Sequence, residues 1–160
     1  MEIGLQEKTK VINSLDRVVM SSFGGIYFEP KEQLSTPEFK PKGLWYGIGT
    51  SWIDWVRNEM PEWEKDNLFK LHIDESKILK ITNDKELLDF SDKFSIKLLK
   101  SSYITAIKWN EVSKEYGGIE ITPYLHSMRM DNRVFWYYSW DVASGCIWGE
   151  DVIKEIKKVF

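Results

Sequence analysis

Apolar and polar positions alternate over Leu68–Ile73, where Phe69, Leu71 and Ile73 share one parity and Lys70 and His72 the other. This is the pattern of a half-buried strand. Lys77–Ile81 follows after an Asp-Glu-Ser turn and reads as a second strand or a bent continuation of the first. Arg17–Ser22, Leu44–Ile48, Gly118–Thr122, Val134–Trp140 and Gly145–Trp148 are the other strand candidates. Helical spacing appears at Trp52, Trp55, Val56 and Glu59, behind Thr50 or Ser51 as a cap and ahead of Pro61. It returns at Leu87, Leu88 and Phe94 behind Thr82 or Asn83, over Trp109–Tyr116 before Gly117-Gly118, and over Glu150–Val159 as a closing helix. Residues 1–13 read as a loose arm or short helix, and residues 29–43, with three prolines, as a surface loop. Strands and helices do not alternate evenly. The expectation is a single α+β domain over 1–160, with a twisted mixed or split sheet and three to four short helices.

Composition adds one anomaly. Apolar types make up 42% and charged types 29%, which fits an ordinary folded domain, and the net charge of −3 speaks against a basic nucleic-acid clamp. Aromatic residues, however, reach 14%, with eight Trp, seven Tyr and eight Phe. They concentrate in two stretches, Trp45 to Trp63 and Phe135 to Trp148. Tryptophan serves cores, interfaces and ligand platforms alike. By strand parity, Trp136, Tyr138 and Trp140 should share a face nearer a site, because Trp140 leads into Asp141, while Phe135 and Tyr137 face away.

The reactive inventory is short. Cys146 is the single cysteine, and only His72 and His126 offer imidazole, without partners at ligand spacing, so no metal site is expected. No run of apolar residues is long enough to span a membrane, and the polar start MEIGLQEKTK reads as a cytoplasmic protein. Glycine-rich phosphate motifs and GxSxG are absent. The carboxylates of interest are Glu120, opposite in parity to Ile119 and Ile121, and Asp141, after the aromatic run.

The segment KPKGLWYGIGTSWIDWVRNEM resembles the ADP-ribosyltransferase superfamily, in which a strand with a glycine and an aromatic enters a small-residue turn and then a helix. FKLHIDESKILKITNDKELLDF, SKEYGGIEIT and SGCIWGEDVI resemble later segments of that family. The resemblance implies a split-sheet fold, NAD as substrate, and ADP-ribose transfer to a macromolecular acceptor, in first place a protein. On that reading Trp45, Tyr46, Trp52 and Tyr138 wall the nicotinamide, and Arg17, Ser21, Ser22 and amides near Gly49 meet the diphosphate. Asp141 or Glu120 would be the acid that stabilises an oxocarbenium-like centre. Two departures stand out. The family's Arg or His at the end of the first strand is replaced by Ser21-Ser22, and its catalytic Glu by Ser144-Gly145. The alternative is a non-enzymatic protein-binding or inhibitory module that uses the Trp and Tyr clusters as interface anchors. Single-stranded nucleic acid is a lesser candidate, with only Arg129 and Arg133 beside Phe135–Tyr138 to supply positive charge.

Overall fold

A computed structural model describes residues 7–160. Seven strands form one mixed sheet: β1 (Arg17–Ser21), β2 (Leu44–Ile48), β3 (Asn67–Ile73), β4 (Leu79–Ile81), β7 (Gly118–Ile121), β8 (Ser144–Ile147) and β9 (Ile153–Lys158). Their order is β4-β7-β8-β2-β1-β3-β9. Only β4 and β7 run parallel. A two-stranded hairpin, β5 (Ser95–Lys97) with β6 (Thr105–Ile107), stands apart. Beyond a short helical stretch at residues 7–10, the α-helices of the described residues are α1 (Ser51–Glu59), α2 (Asp84–Phe94) and the single turn α3 (Trp109–Val112). The architecture is the mixed α+β one expected from the sequence. No helix among the described residues is long and apolar enough to cross a membrane.

Local chemistry explains most boundaries. Asn83 caps α2 by accepting from the Glu86 amide at 2.9 Å, and Glu86 reaches back to the Thr82 amide, so two otherwise unpaired donors at the helix start are satisfied. Leu87, Phe90 and Phe94 are the buried side of α2. Residues 29–43 form the expected irregular segment, tied down by buried Gln33, which donates to the Lys42 carbonyl and accepts from its amide. Glu38 bridges to Ile107 of β6. Of the expected arm, residues 1–6 lie outside the described residues, and residues 7–10 are helical.

The helix expected over Trp109–Tyr116 is only the turn Trp109–Val112, the hairpin of β5 and β6 has no counterpart in the sequence expectation, and two further elements change type. Val134–Trp140 is not a strand: Asn132–Ser139 is 3₁₀-helical, interrupted at Val134 and capped by Asp131. Strand parity would put Trp136 and Tyr137 on opposite faces, yet both are fully buried. The 3₁₀ turn instead buries Trp136 and Tyr137 side by side, flanked by buried Val134 at the interruption and Trp140 just past its end, and stacks Phe135 on Tyr138 on the outer side. The pairing of Tyr138 with Trp136 and Trp140 on one face is therefore corrected. The closing segment is not a helix but strand β9. Ile153 and Ile156 have helical spacing, but a bulge makes Lys154 an extra residue, so Ile153 pairs Ile73 while Ile156 pairs Leu71. The bulge lets an i, i+3 pair serve one sheet face.

The sheet divides its side chains by parity. One face carries Trp45, Ile119, Ile121 and Cys146 into a large core under α2, α3 and the 3₁₀ segment. There the indole N–H of Trp136 donates to Ser91, that of Trp109 to the Glu38 carbonyl and that of Trp148 to the Tyr116 carbonyl, each at 3.0 Å. Further along the same face, Val18 and Leu68 pack with Ile53 of α1. The opposite face packs Tyr46, Ile48, Leu71, Ile73 and Ile147.

Candidate functional site

Three features of the structure stand out by their chemistry. The first is a pocket of about 330 Å³ where α1 meets the sheet, within the size range of small-molecule sites. Val18 and Met20 of β1, Gly47 of β2 and Ser144 of β8 line its sheet side. Gly47 is required there, because a Cβ would stand 2.7 Å from that of Trp52. Trp45, Trp52 and Trp140 are its aromatic walls, and Lys40 and Asp141 its charged groups. The walls are braced. Trp45 meets Trp140 edge to face at 4.9 Å, and Trp52 stacks on Trp55 at 5.1 Å, with Trp63 beside both. Ser51 bonds the Ala143 carbonyl at 2.8 Å and accepts from the Ile48 amide, which pins the start of α1 to the pocket rim. Lys40 Nζ lies over the Trp45 ring, 5.4 Å from its centroid. Asp141 approaches Arg129 at 3.7 Å.

The second feature lies on the opposite sheet face. Lys80, Glu120, Gly145 and Tyr46 are register partners across β4, β7, β8 and β2. Gly145 has no side chain, so Tyr46 passes over β8 and its hydroxyl donates to Glu120 Oε1 at 2.9 Å. Arg17 Nε donates to the same carboxylate at 2.7 Å, and its terminal nitrogen to Glu75 at 2.8 Å. Lys80 also bonds Glu75, at 2.6 Å. Burial works against the charge on Arg17, but the bonds to Glu120 and Glu75 more than offset it and hold the guanidinium protonated well beyond its ordinary range. Burial, and then the neighbouring Glu120 carboxylate, push the Tyr46 phenol well above its usual value. Glu75 is held down at about 2 by Lys80 and Arg17.

Because Glu75 titrates lower in the folded chain than its ordinary 4.5, its pairing adds stability in full above that value and loses it as the pH falls towards 2. Glu75 is half exposed, so solvent screening limits the effect to under about 1 kcal/mol. Denaturant titrations of wild type and Glu75→Gln should differ above pH 5 and converge below pH ~2.5.

The third feature is an exposed aromatic cluster. Phe135 sits at its centre, with Phe39 at 5.8 Å, Tyr103 at 5.5 Å and Tyr138 at 6.5 Å. Tyr103 is 56% and Tyr138 49% exposed. Arg129 covers part of Tyr138 from 5.2 Å. The hairpin that carries Tyr103 also exposes Ile96, Leu98 and Leu99.

The residues singled out in the sequence are thus distributed over several places. Trp45, Tyr46, Trp52 and Asp141 line the pocket, joined by Trp140. Arg17 and Glu120 are joined to each other on the reverse face, where the Tyr46 phenol also points. Tyr138 belongs to the exposed cluster. Ser21 ends β1 and accepts from the Phe23 amide, Ser22 is exposed, and Gly49, at φ +58, closes against Ser14. None of these three lines the pocket. Cys146 is buried, which pushes its thiol far above the ordinary range and keeps it inert. Among the described residues no group of His, Cys, Asp and Glu is arranged to hold a metal. Lys40, Phe39 and Tyr103 were not readable as site residues because loop and hairpin placement brings them in, and Met20 was not because strand register decides which face it serves. Compared with known protein families, curated proteins and solved structures, the chain matches none.

Proposed function

We propose that the protein is a binding module that recognises a protein partner through the cluster of Phe39, Tyr103, Phe135 and Tyr138. What supports this reading is the placement of Phe39, Tyr103 and Tyr138 around Phe135 at the surface, with both tyrosines about half exposed. Clustered exposed rings mark interaction surfaces, and Tyr with a neighbouring Arg is the chemistry of binding hot spots. Arg129 on Tyr138 holds that ring in place before contact, which lowers the ordering cost of association. Such a module could act by inhibition, through occupancy of the partner's surface. Replacement of both Tyr103 and Tyr138 by Ala should weaken partner binding by about 100-fold or more. Both side chains are exposed, so the melting temperature should hardly move. Photo-crosslinking from position 138 in a native extract, followed by affinity measurement on the captured protein, provides the test. Equal affinity of wild type and double variant would remove this reading.

A second reading rests on the pocket. Trp45, Trp52 and Asp141, three of the residues that the ADP-ribosyltransferase resemblance assigns to an NAD cleft, line it, whereas Arg17, Ser21, Ser22, Gly49 and Tyr138 do not. On this reading the fold is a divergent member of that superfamily's, and Asp141 is the acid that faces the ribose. Glu120, held by Arg17 and Tyr46, then serves the sheet rather than the reaction. Calorimetric titration with NAD and ADP-ribose should show binding that weakens in Lys40→Ala, because Lys40 is the lysine in the pocket lining and would meet the diphosphate.

A further inference from the structure

The pocket lining sets three indoles beside one carboxylate, and one of those indoles already faces a cation. Lys40 Nζ lies 5.4 Å from the centroid of the Trp45 ring. Aromatic faces attract positive charge through their quadrupole, and the attraction grows as water is removed. A lysine ammonium is a strongly hydrated point charge and surrenders its water reluctantly. An ammonium that carries methyl groups keeps the charge, sheds water more easily, and offers its methyls to apolar neighbours such as Met20 and Val142. Asp141 supplies the counter-charge, and its 3.7 Å approach to Arg129 leaves it only loosely engaged.

We infer that the pocket between Trp45, Trp52 and Trp140 is a receptor for a methylated ammonium group, with Asp141 as counter-ion and Lys40 as an intramolecular competitor for the Trp45 face. This goes beyond the nucleotide reading of the same pocket and opposes it in one respect. A nucleotide diphosphate needs Lys40 as a partner, whereas an organic cation must displace it. Arg17, the basic group of β1, is committed to Glu120 and Glu75 on the reverse face and offers the pocket nothing. The methylated ammonium could be carried by a free molecule or by a modified lysine in a protein. The second source would join the pocket to the binding module.

The test is titration of the full chain with choline, with a peptide carrying trimethyllysine, and with 3,3-dimethylbutanol, the uncharged carbon analogue of choline. Calorimetry gives affinity, and the indole N–H signals of the eight tryptophans report the site. At least one cation should bind saturably and shift a subset of those signals, with the uncharged analogue at least ~10-fold weaker. Lys40→Ala should tighten cation binding by about threefold or more, and Asp141→Asn should weaken it by about tenfold. Binding of choline assigns a free ligand, and binding of the peptide alone assigns a protein-borne one. No saturable binding of either cation, equal binding of the uncharged analogue, or weaker cation binding in Lys40→Ala would overturn the inference. Titration with NAD separates the two readings, because its binding, if it weakens in Lys40→Ala while neither cation binds, supports the nucleotide and removes the methylated ammonium.

Discussion

Replacement of Arg17 by Met should destabilise the protein by about 4 kcal/mol, a large part of the stability of an ordinary domain. The reason lies in what is left behind. Glu120 is only 2% exposed and accepts from Arg17 and Tyr46. Without Arg17 it becomes a buried carboxylate with one neutral donor, and neither water nor a second cation reaches it cheaply. The reciprocal change, Glu120→Gln, should cost less, about 2 kcal/mol. Arg17 is 16% exposed and keeps its bond to Glu75. The double variant Arg17→Met with Glu120→Leu removes both charges and should recover most of the loss, since a buried ion pair often contributes no more than a well-packed apolar pair. Urea denaturation with unchanged slopes would measure all three. A loss of under 1 kcal/mol for Arg17→Met would show that water solvates Glu120 and that the network is not what joins β1 to β7.

Gly145→Ala should rank second, at about 3 kcal/mol, from overpacking and from one broken hydrogen bond. A Cβ at this position would stand 2.3 Å from the Tyr46 hydroxyl oxygen, 2.4 Å from the ring carbon that bears it and 2.8 Å from the Ile119 carbonyl. Backbone blocks one side, so the ring must move, and its bond to Glu120 at 2.9 Å is lost with it. The same strand contributes Ser144 to the pocket on the other face, and β2 contributes Trp45 and Gly47. A change on the reverse face is therefore expected to disturb the pocket through the strands they share. Thermal unfolding of Gly145→Ala should fall by about 6–12 °C, given the usual conversion for a domain of this size. A shift within 2 °C would mean that the Tyr46 ring has room to step aside.

Much of the architecture was legible because it is local. The alternation in Leu68–Ile73 and the cap at Asn83 ahead of Leu87 and Phe94 each carry their physics within a few residues. Two misreadings have one cause, that periodicity is ambiguous when the backbone departs from a regular repeat. The run from Val134 to Trp140 is apolar at every position but one, so neither a two-residue nor a three-residue repeat is marked in it. The bulge at Lys154 writes a helical spacing into a strand. In both cases the surrounding packing chose the repeat.

The candidate site divides along the same line. Trp45, Trp52 and Asp141 were readable as candidates from their place beside small residues and turns, and the structure sets all three around one pocket. Which face of the sheet each would serve was not readable, because that depends on register between strands distant in sequence. Arg17 and Glu120, 103 residues apart, meet only because β1, β2, β8 and β7 lie side by side and Gly145 leaves the path open. Lys40 reaches Trp45 only because Gln33 and Glu38 hold its loop against the core. The chain by itself determined its elements, their caps and an unusual supply of rings, since those follow from neighbouring residues. Only the tertiary structure decided which rings became core, pocket wall or exposed surface, since that choice rests on long-range pairing, whose energy no short stretch of sequence contains.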